Sequence, residues 1–285
     1  MRTGVAVGFF DGVHLGHRAI LANAAAALTF SRHPMSVLAP ARTPRLLMSV
    51  EDRLEAIRAT GVETVVALEF DQALAAMTPD DFVRRHLAPL AGPGRLIRCG
   101  ADWRFGRGGS GDAEFLRRLG YSVDRVADVA FSGARISSTR IRTTLEAGDI
   151  PAANAMLGKM FSATGRVRKG KGVGRALGFP TVNVALDALN GPAFVRLPYG
   201  VYSVAVGGTR ALANYGLVPT MGAAAWTHPV LEIHVPHATD VAGADGRPLT
   251  VAFERFLRPE RRFPSPEALA RQIAADIAAF ETSVR

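Results

Sequence analysis

The sequence predicts two unlike domains, an α/β unit on a mostly parallel sheet and then an antiparallel sheet or small barrel ending in a helix. Three observations carry this. The 285 residues are nearly twice the length of a typical domain. The first half alternates short β-rich runs with helical patterns, the order of a parallel sheet with crossover helices. After Gly158 alternating runs stand between glycine- and proline-rich turns, the mark of antiparallel strands. The boundary is therefore drawn at 1–158 and 159–285, with one large α/β barrel as the competing architecture.

Val5 to Phe9 reads as a buried first strand, with a helix from about Leu15. Ser49 with Asp52 resembles a capping box, and its helix should stop at Gly61 before a strand from Thr64 to Leu68. Thr78, Pro79 and Asp81 open the next helix, with proline at its first position. Arg95 to Cys99 reads as a strand. Ser137 or Ser138 caps a helix ending near Gly148, and a shorter piece from Ala152 to Leu157 ends at Gly158. Beyond it, Tyr202 to Val206, Ala211 to Tyr215, Leu231 to Val235 and Leu249 to Phe256 alternate as strands. Ser265, Pro266 and Glu267 open a terminal helix with Leu269, Ile273 and Ile277 on one face.

Hydrophobic residues at 48% and charged residues at 21% exclude disordered, collagen-like and coiled-coil classes. The net charge of +9 favours anionic partners: nucleotides, phosphates, nucleic acid or an acidic membrane. The single cysteine, Cys99, excludes an internal disulfide framework and a cysteine-cluster metal site. The apolar stretch around Ala24 to Phe30 is too short to span a membrane, and Asp11 interrupts any signal-peptide core. These features predict a cytoplasmic enzyme or binding protein.

Gly8-Phe9-Phe10-Asp11-Gly12-Val13-His14-Leu15-Gly16-His17 falls where the first strand meets the first helix, the place where open parallel sheets bind ligands. Backbone N–H groups at a helix start, with two imidazoles beside a glycine, can donate to phosphate oxygens. In a nucleotidyl transfer they would stabilise charge on the α-phosphate and the departing pyrophosphate. A metal pair or two incidental histidines is the bland alternative.

His14-Leu15-Gly16-His17 resembles the HxGH signature of the nucleotidyltransferase superfamily, and Ile136-Ser137-Ser138-Thr139-Arg140-Ile141-Arg142 resembles its ISSTxxR run. Hydroxyls and arginine there would grip a triphosphate, and simple N-capping by Ser137 to Thr139 is compatible with that. Gly100-Ala101-Asp102-Trp103-Arg104-Phe105-Gly106-Arg107-Gly108 is similar to the GxDFRFGxG loop of prokaryotic FAD synthetases, as Thr29-Phe30 with His33-Pro34 is to their TFxxHP segment. The resemblance implies a Rossmann-like domain that joins AMP from ATP to FMN. It implies catalytic roles for His14 and His17, and nucleotide contacts from Gly8, Phe10, Asp11, Gly16, Asp102, Arg104, Ser137, Ser138, Thr139 and Arg142. Flavin contacts fall to Phe30, His33, Pro34 and Phe105, an apolar aromatic setting suited to a flat ring.

The second candidate site begins at Gly165-Arg166-Val167-Arg168-Lys169-Gly170-Lys171-Gly172-Val173-Gly174-Arg175. A basic glycine-rich loop can fold over phosphates, and by composition alone it serves equally as an RNA-binding loop. It runs into Leu177-Gly178-Phe179-Pro180-Thr181-Val182-Asn183, which resembles the GFPTxN motif of riboflavin kinases. Tyr199-Gly200-Val201-Tyr202, Asn214-Tyr215-Gly216 with Pro219-Thr220, and Leu231-Glu232-Ile233-His234-Val235 follow in that family's order. The likeness implies an antiparallel β-barrel in which Gly170, Gly172, Gly174 and Arg175 clamp ATP. Thr181 and Asn183 would hold Mg2+, and Glu232 would act as base, although a glutamate in a β-run usually faces solvent.

Together the motifs resemble the bifunctional riboflavin kinases/FMN adenylyltransferases over nearly the whole chain. The family implies ATP, riboflavin, FMN and FAD as substrates or products, Mg2+ as cofactor, no nucleic-acid or membrane partner, and leaves a homo-oligomer open. Four departures stand out, among them a shortened stretch between His17 and Thr29, Met35 where arginine is common, and Phe9 where asparagine is frequent. Val218 also stands where a charge is usual. The alternative reading is a riboflavin kinase whose N-terminal domain has lost adenylyl transfer.

Overall fold

The computed structural model describes residues 3–92, 94–168, 178–186, 193–217, 229–235, 246–261 and 263–282. The chain divides into two compact units, Met1–Ile141 and Arg142–Arg285. In the first, β1 (Val5–Val7), β2 (Ala26–Phe30), β3 (Thr64–Leu68), β4 (Leu96–Gly100) and β5 (Ser122–Val126) form a sheet of order β3-β2-β1-β4-β5. Every pairing in it is parallel. The order reverses at β1, which makes its C-terminal end the topological switch point, the place where such sheets bind ligands.

The central strands β1 and β2 are buried on both faces, which is why they read as near-continuous apolar runs. Val5, Val7, Leu28, Ile97 and Cys99 join Phe82, Leu87 and Leu116 in one core. Ala6 and Ala27 point the other way, into a core with Leu21, Ile57 and Val62. Ser49 caps the helix Val50–Arg58 by accepting from Asp52 N at 3.0 Å, and the turn that follows contains Gly61 at φ +87°, as the spacing predicts. Thr78 caps the helix Pro79–Phe82, which continues through a π-turn, Val83–Leu87, into Ala88–Ala91. The first strand stops at Val7, short of the predicted Phe9, because Phe10 takes a positive φ of 58°. The strand β2, the polar strand β5 and the hairpin β6 (Ala130–Phe131) and β7 (Ala134–Arg135) are additional to the expected elements.

The second unit holds β8 (Phe161–Arg168), β9 (Val182–Ala185), β10 (Gly200–Val206), β11 (Thr209–Gly216), β12 (Val230–His234) and β13 (Pro248–Pro259). These close into a barrel of order β10-β11-β12-β9-β8-β13. All four predicted alternating runs fall in these strands, save Val235, which lies one residue past the end of β12. The stretch Gly165–Arg168, expected as part of a loop, lies in β8, whose residues alternate buried and open along its length. The rest of that predicted loop, with Gly170, Gly172, Gly174 and Arg175, lies outside the described residues. The helix Ile150–Leu157 ends at Gly158 in a left-handed conformation and lies against β8 and β13, where Asn154 donates to Phe253 O at 2.9 Å and accepts from Phe161 N at 2.6 Å. The terminal helix, Pro266–Thr282, lays Ile277 and Phe280 over Val201 and Leu212. Arg258 ties it to β13 through both carboxylate oxygens of Asp276.

Candidate functional site

In the first unit the candidate site is the loop between β1 and the helix Leu15–Leu21. His14 is the N-cap of that helix, its Nδ1 accepting from His17 N at 3.2 Å. A neutral imidazole whose Nδ1 accepts carries its proton on Nε2, so the cap fixes the tautomer of the buried His14 ring. The two imidazoles stack with centroids 3.6 Å apart, and Phe10 meets His17 edge-on at 5.4 Å. Phe10 at φ 58° and Val13 at φ 42° are buried and left-handed, strained positions of the kind that gather at ligand sites. A Cβ on Gly16 would stand 3.2 Å from the His14 ring, and one on Gly8 would stand 2.9 Å from the Phe10 ring. Both glycines admit the ring beside them.

Buried Asp11 locks the loop from below, both carboxylate oxygens accepting from Leu47 N at 3.0 and 3.1 Å. Its carbonyl accepts from Ser138 Oγ at 2.9 Å, which brings the second predicted motif against the first. Ser137 Oγ accepts from Arg140 N, while Ser137 and Ser138 are half-buried and Thr139 is exposed. Arg142 follows, half-buried, on the helix Ser138–Glu146. On the other side, His33 Nδ1 accepts from Met35 N and its ring meets Phe9 at 4.6 Å, while Pro34 caps a short helix. Phe30 packs edge-on against Phe70. Phe105 is 6% exposed and stacks on Trp103 within the core. Asp102 and Arg104 are surface groups paired with Arg135 and Asp112.

Sequence reasoning missed Arg53. It is fully buried, its guanidinium lies 4.0 Å over the Phe9 ring, and Nη2 donates to Phe30 O. Burial lowers its proton affinity, while the charges of Asp11 and Glu51 restore part of it. The available signal was its place four residues before Ile57, on the buried side of an amphipathic helix.

In the barrel, Asn183, Glu232 and Asn214 are register partners across β9, β12 and β11, with Arg168 opposite Asn183 on β8. Register partners share a sheet face, so these polar groups form one row, while Val184, Leu231 and Tyr215 in the next row are buried. Thr181 immediately precedes β9, half-buried, and His234 Nδ1 is bonded to Pro180 O at 3.0 Å, joining this segment to β12. Burial, and next the Glu260 carboxylate, raise Glu232 above the usual range for glutamate. Glu260 was also missed. Its carboxylate rests on the backbone of Gly216, where a Cβ would come within 2.5 Å of Oε1.

The chain matches two family models, "FAD synthetase" over residues 1–140 and "Riboflavin kinase" over residues 157–284. A bifunctional riboflavin kinase/FMN adenylyltransferase of Pseudomonas fluorescens is 36% identical over 96% of this chain and 90% of that protein. Its namesake in Escherichia coli K12 is 33% identical over 95% and 89%, and that of Bacillus subtilis 29% over 95% and 89%. A solved structure described as a macrolide-efflux protein from Streptococcus pneumoniae matches with a TM-score of 0.83 at 25% identity, over 97% of this chain and 93% of that one. Among the described residues no helix is long and apolar enough to cross a membrane. With both halves and the full length so matched, the chain belongs to the bifunctional riboflavin kinase/FMN adenylyltransferase family.

Proposed function

We propose that this protein phosphorylates riboflavin to FMN in residues 159–285 and adenylylates FMN to FAD in residues 1–158, working in the cytoplasm. The observation that carries the reading is that one chain matches both family models. In the barrel, Glu232 takes the proton of the riboflavin 5′-hydroxyl as that oxygen attacks the γ-phosphate of ATP, and ADP leaves. Its raised proton affinity suits a base. Gly170, Gly172, Gly174 and Arg175 clamp the phosphates. The Thr181 hydroxyl and Asn183 amide oxygen are hard neutral donors that fit Mg2+, which binds few protein oxygens and keeps phosphate and water ligands. Bound there, the ion would neutralise triphosphate charge.

In the first domain an oxygen of the FMN phosphate attacks the α-phosphate of ATP, and pyrophosphate leaves. His14 and His17 donate to the charge that grows there, a role supported by the His14 cap geometry. Ser137, Ser138, Thr139 and Arg142 hold the triphosphate beside Gly8, Phe10, Asp11 and Gly16, while Asp102 and Arg104 orient the nucleotide. Phe30, His33, Pro34 and Phe105 surround the flavin, Phe105 by shaping the core behind it.

The test is chromatography of products from riboflavin, ATP and magnesium. The parent should give FAD, His17→Ala should stop at FMN, and Glu232→Ala should give almost no product. FMN alone from the parent would leave only the kinase, unphosphorylated riboflavin alone would overturn the kinase assignment, and a failure to form FAD from added FMN and ATP would overturn the adenylyltransferase.

A further inference from the structure

Phe9 is where this chain departs from the asparagine frequent in its family, and it carries an arrangement none of the motifs describes. Its carbonyl accepts from buried Thr29 Oγ1 at 3.0 Å, which fixes the residue to β2. One face of its ring is covered by the Arg53 guanidinium at 4.0 Å, and the His33 ring meets it at 72°. Arg53 is itself immobilised, fully buried and donating to Phe30 O. Its Nε and Nη1 meet no hydrogen-bond acceptor among the described residues. The Phe9 π-face and the nearby Asp11 charge therefore stand in for acceptors around a buried cation.

Phe9 nevertheless is only partly buried, with one ring face under the guanidinium. A ring held on one side by a rigid cation, at the C-terminal end of the central strand, meets a planar ligand at little ordering cost. The ring contacts of Phe9 are with residues that follow β2, His33 and Arg53, whereas Ser138, of the proposed triphosphate grip, meets the loop at Asp11. We infer that Phe9, backed by Arg53, is a specificity-determining residue of the adenylyl-transfer site that stacks on the conjugated ring of the acceptor, FMN. This rests on the adenylyltransferase reading above.

The test is steady-state adenylyl transfer from FMN and ATP by the full-length protein, with riboflavin phosphorylation and melting temperature measured alongside. Phe9→Leu, which keeps apolar bulk but removes the π-face, should raise KM for FMN about 3- to 10-fold, the range for loss of one aromatic contact. KM for ATP and kinase activity should stay unchanged, and Phe9→Tyr should restore the parental KM for FMN. Arg53→Met should raise KM for FMN in the same direction. An unchanged KM for FMN in Phe9→Leu, with FAD still formed, overturns the stacking, even if melting falls. A rise confined to KM for ATP overturns the choice of flavin over adenine. Absence of FAD from the parent overturns the adenylyltransferase reading itself.

Discussion

Replacing Gly16 with alanine sets stability and activity against each other. Gly16 is the second residue of the helix Leu15–Leu21, where alanine is favoured over glycine by about 0.5–1 kcal/mol. By helix propensity alone the variant should melt slightly higher. The new Cβ, however, would stand 3.2 Å from both Cε1 and Nδ1 of His14, inside the 3.4 Å at which ordinary contact begins. The His14 ring must give way by a few tenths of an ångström. That ring is stacked on His17 at 3.6 Å and accepts from His17 N at 3.2 Å, so its retreat stretches the cap and realigns both imidazoles. Catalytic donors misplaced on the ångström scale cost up to about 100-fold, and a smaller shift should cost adenylyl transfer about 10-fold. The assay is FAD formation from FMN and ATP, with riboflavin phosphorylation as internal control and a thermal melt for stability. Unimpaired FAD formation in a stable Gly16→Ala protein would refute the claim that this glycine makes room for His14.

Glu232→Gln should abolish riboflavin phosphorylation and raise barrel stability at neutral pH. A carboxyl whose folded proton affinity is raised opposes folding increasingly as pH climbs from the ordinary glutamate value, about 4.3, through its folded value. The gain should vanish below that ordinary value, and melting curves at pH 4 and 8 check it. Glu260→Gln removes the second cause of the raised affinity, so the acidic limb of the kinase pH profile should move to lower pH. Arg258→Ala should cost about 3 kcal/mol in chemical denaturation of the second unit, because it removes the cation from the carboxylate of Asp276, whose side chain is only 13% exposed, and leaves it the Gln272 amide alone among the described residues. A loss below about 1 kcal/mol would mean the pair does not hold the terminal helix.

The features legible in the sequence are those written in consecutive residues. Apolar runs at β1 and β3, the serine and threonine caps at Ser49 and Thr78, and the αL glycine Gly158 are local signals, and their elements form as read. The strand β5 was not legible because Asp124 and Arg125 interrupt its apolar pattern. Gly165 misled for a different reason: its Cβ would lie 2.3 Å from Ala185 O, so it is a glycine of close strand approach and not of a loop. Within the candidate sites His14 and His17 are neighbours in sequence and could be seen together. Arg53 beneath Phe9, and Glu260 above Gly216, meet only through tertiary register, which no spacing records.

The closure of the barrel also orders its birth. Its first strand, β8, pairs with its last, β13, joining Phe161 to Phe253, and β13 pairs in turn with β10. The parallel sheet of the first unit is complete once Val126 has been made, whereas on a ribosome β8 waits with one edge bare until more than eighty further residues have emerged. Nascent chains stopped before β13 should therefore carry a folded nucleotide-binding sheet beside an unclosed, aggregation-prone ribbon.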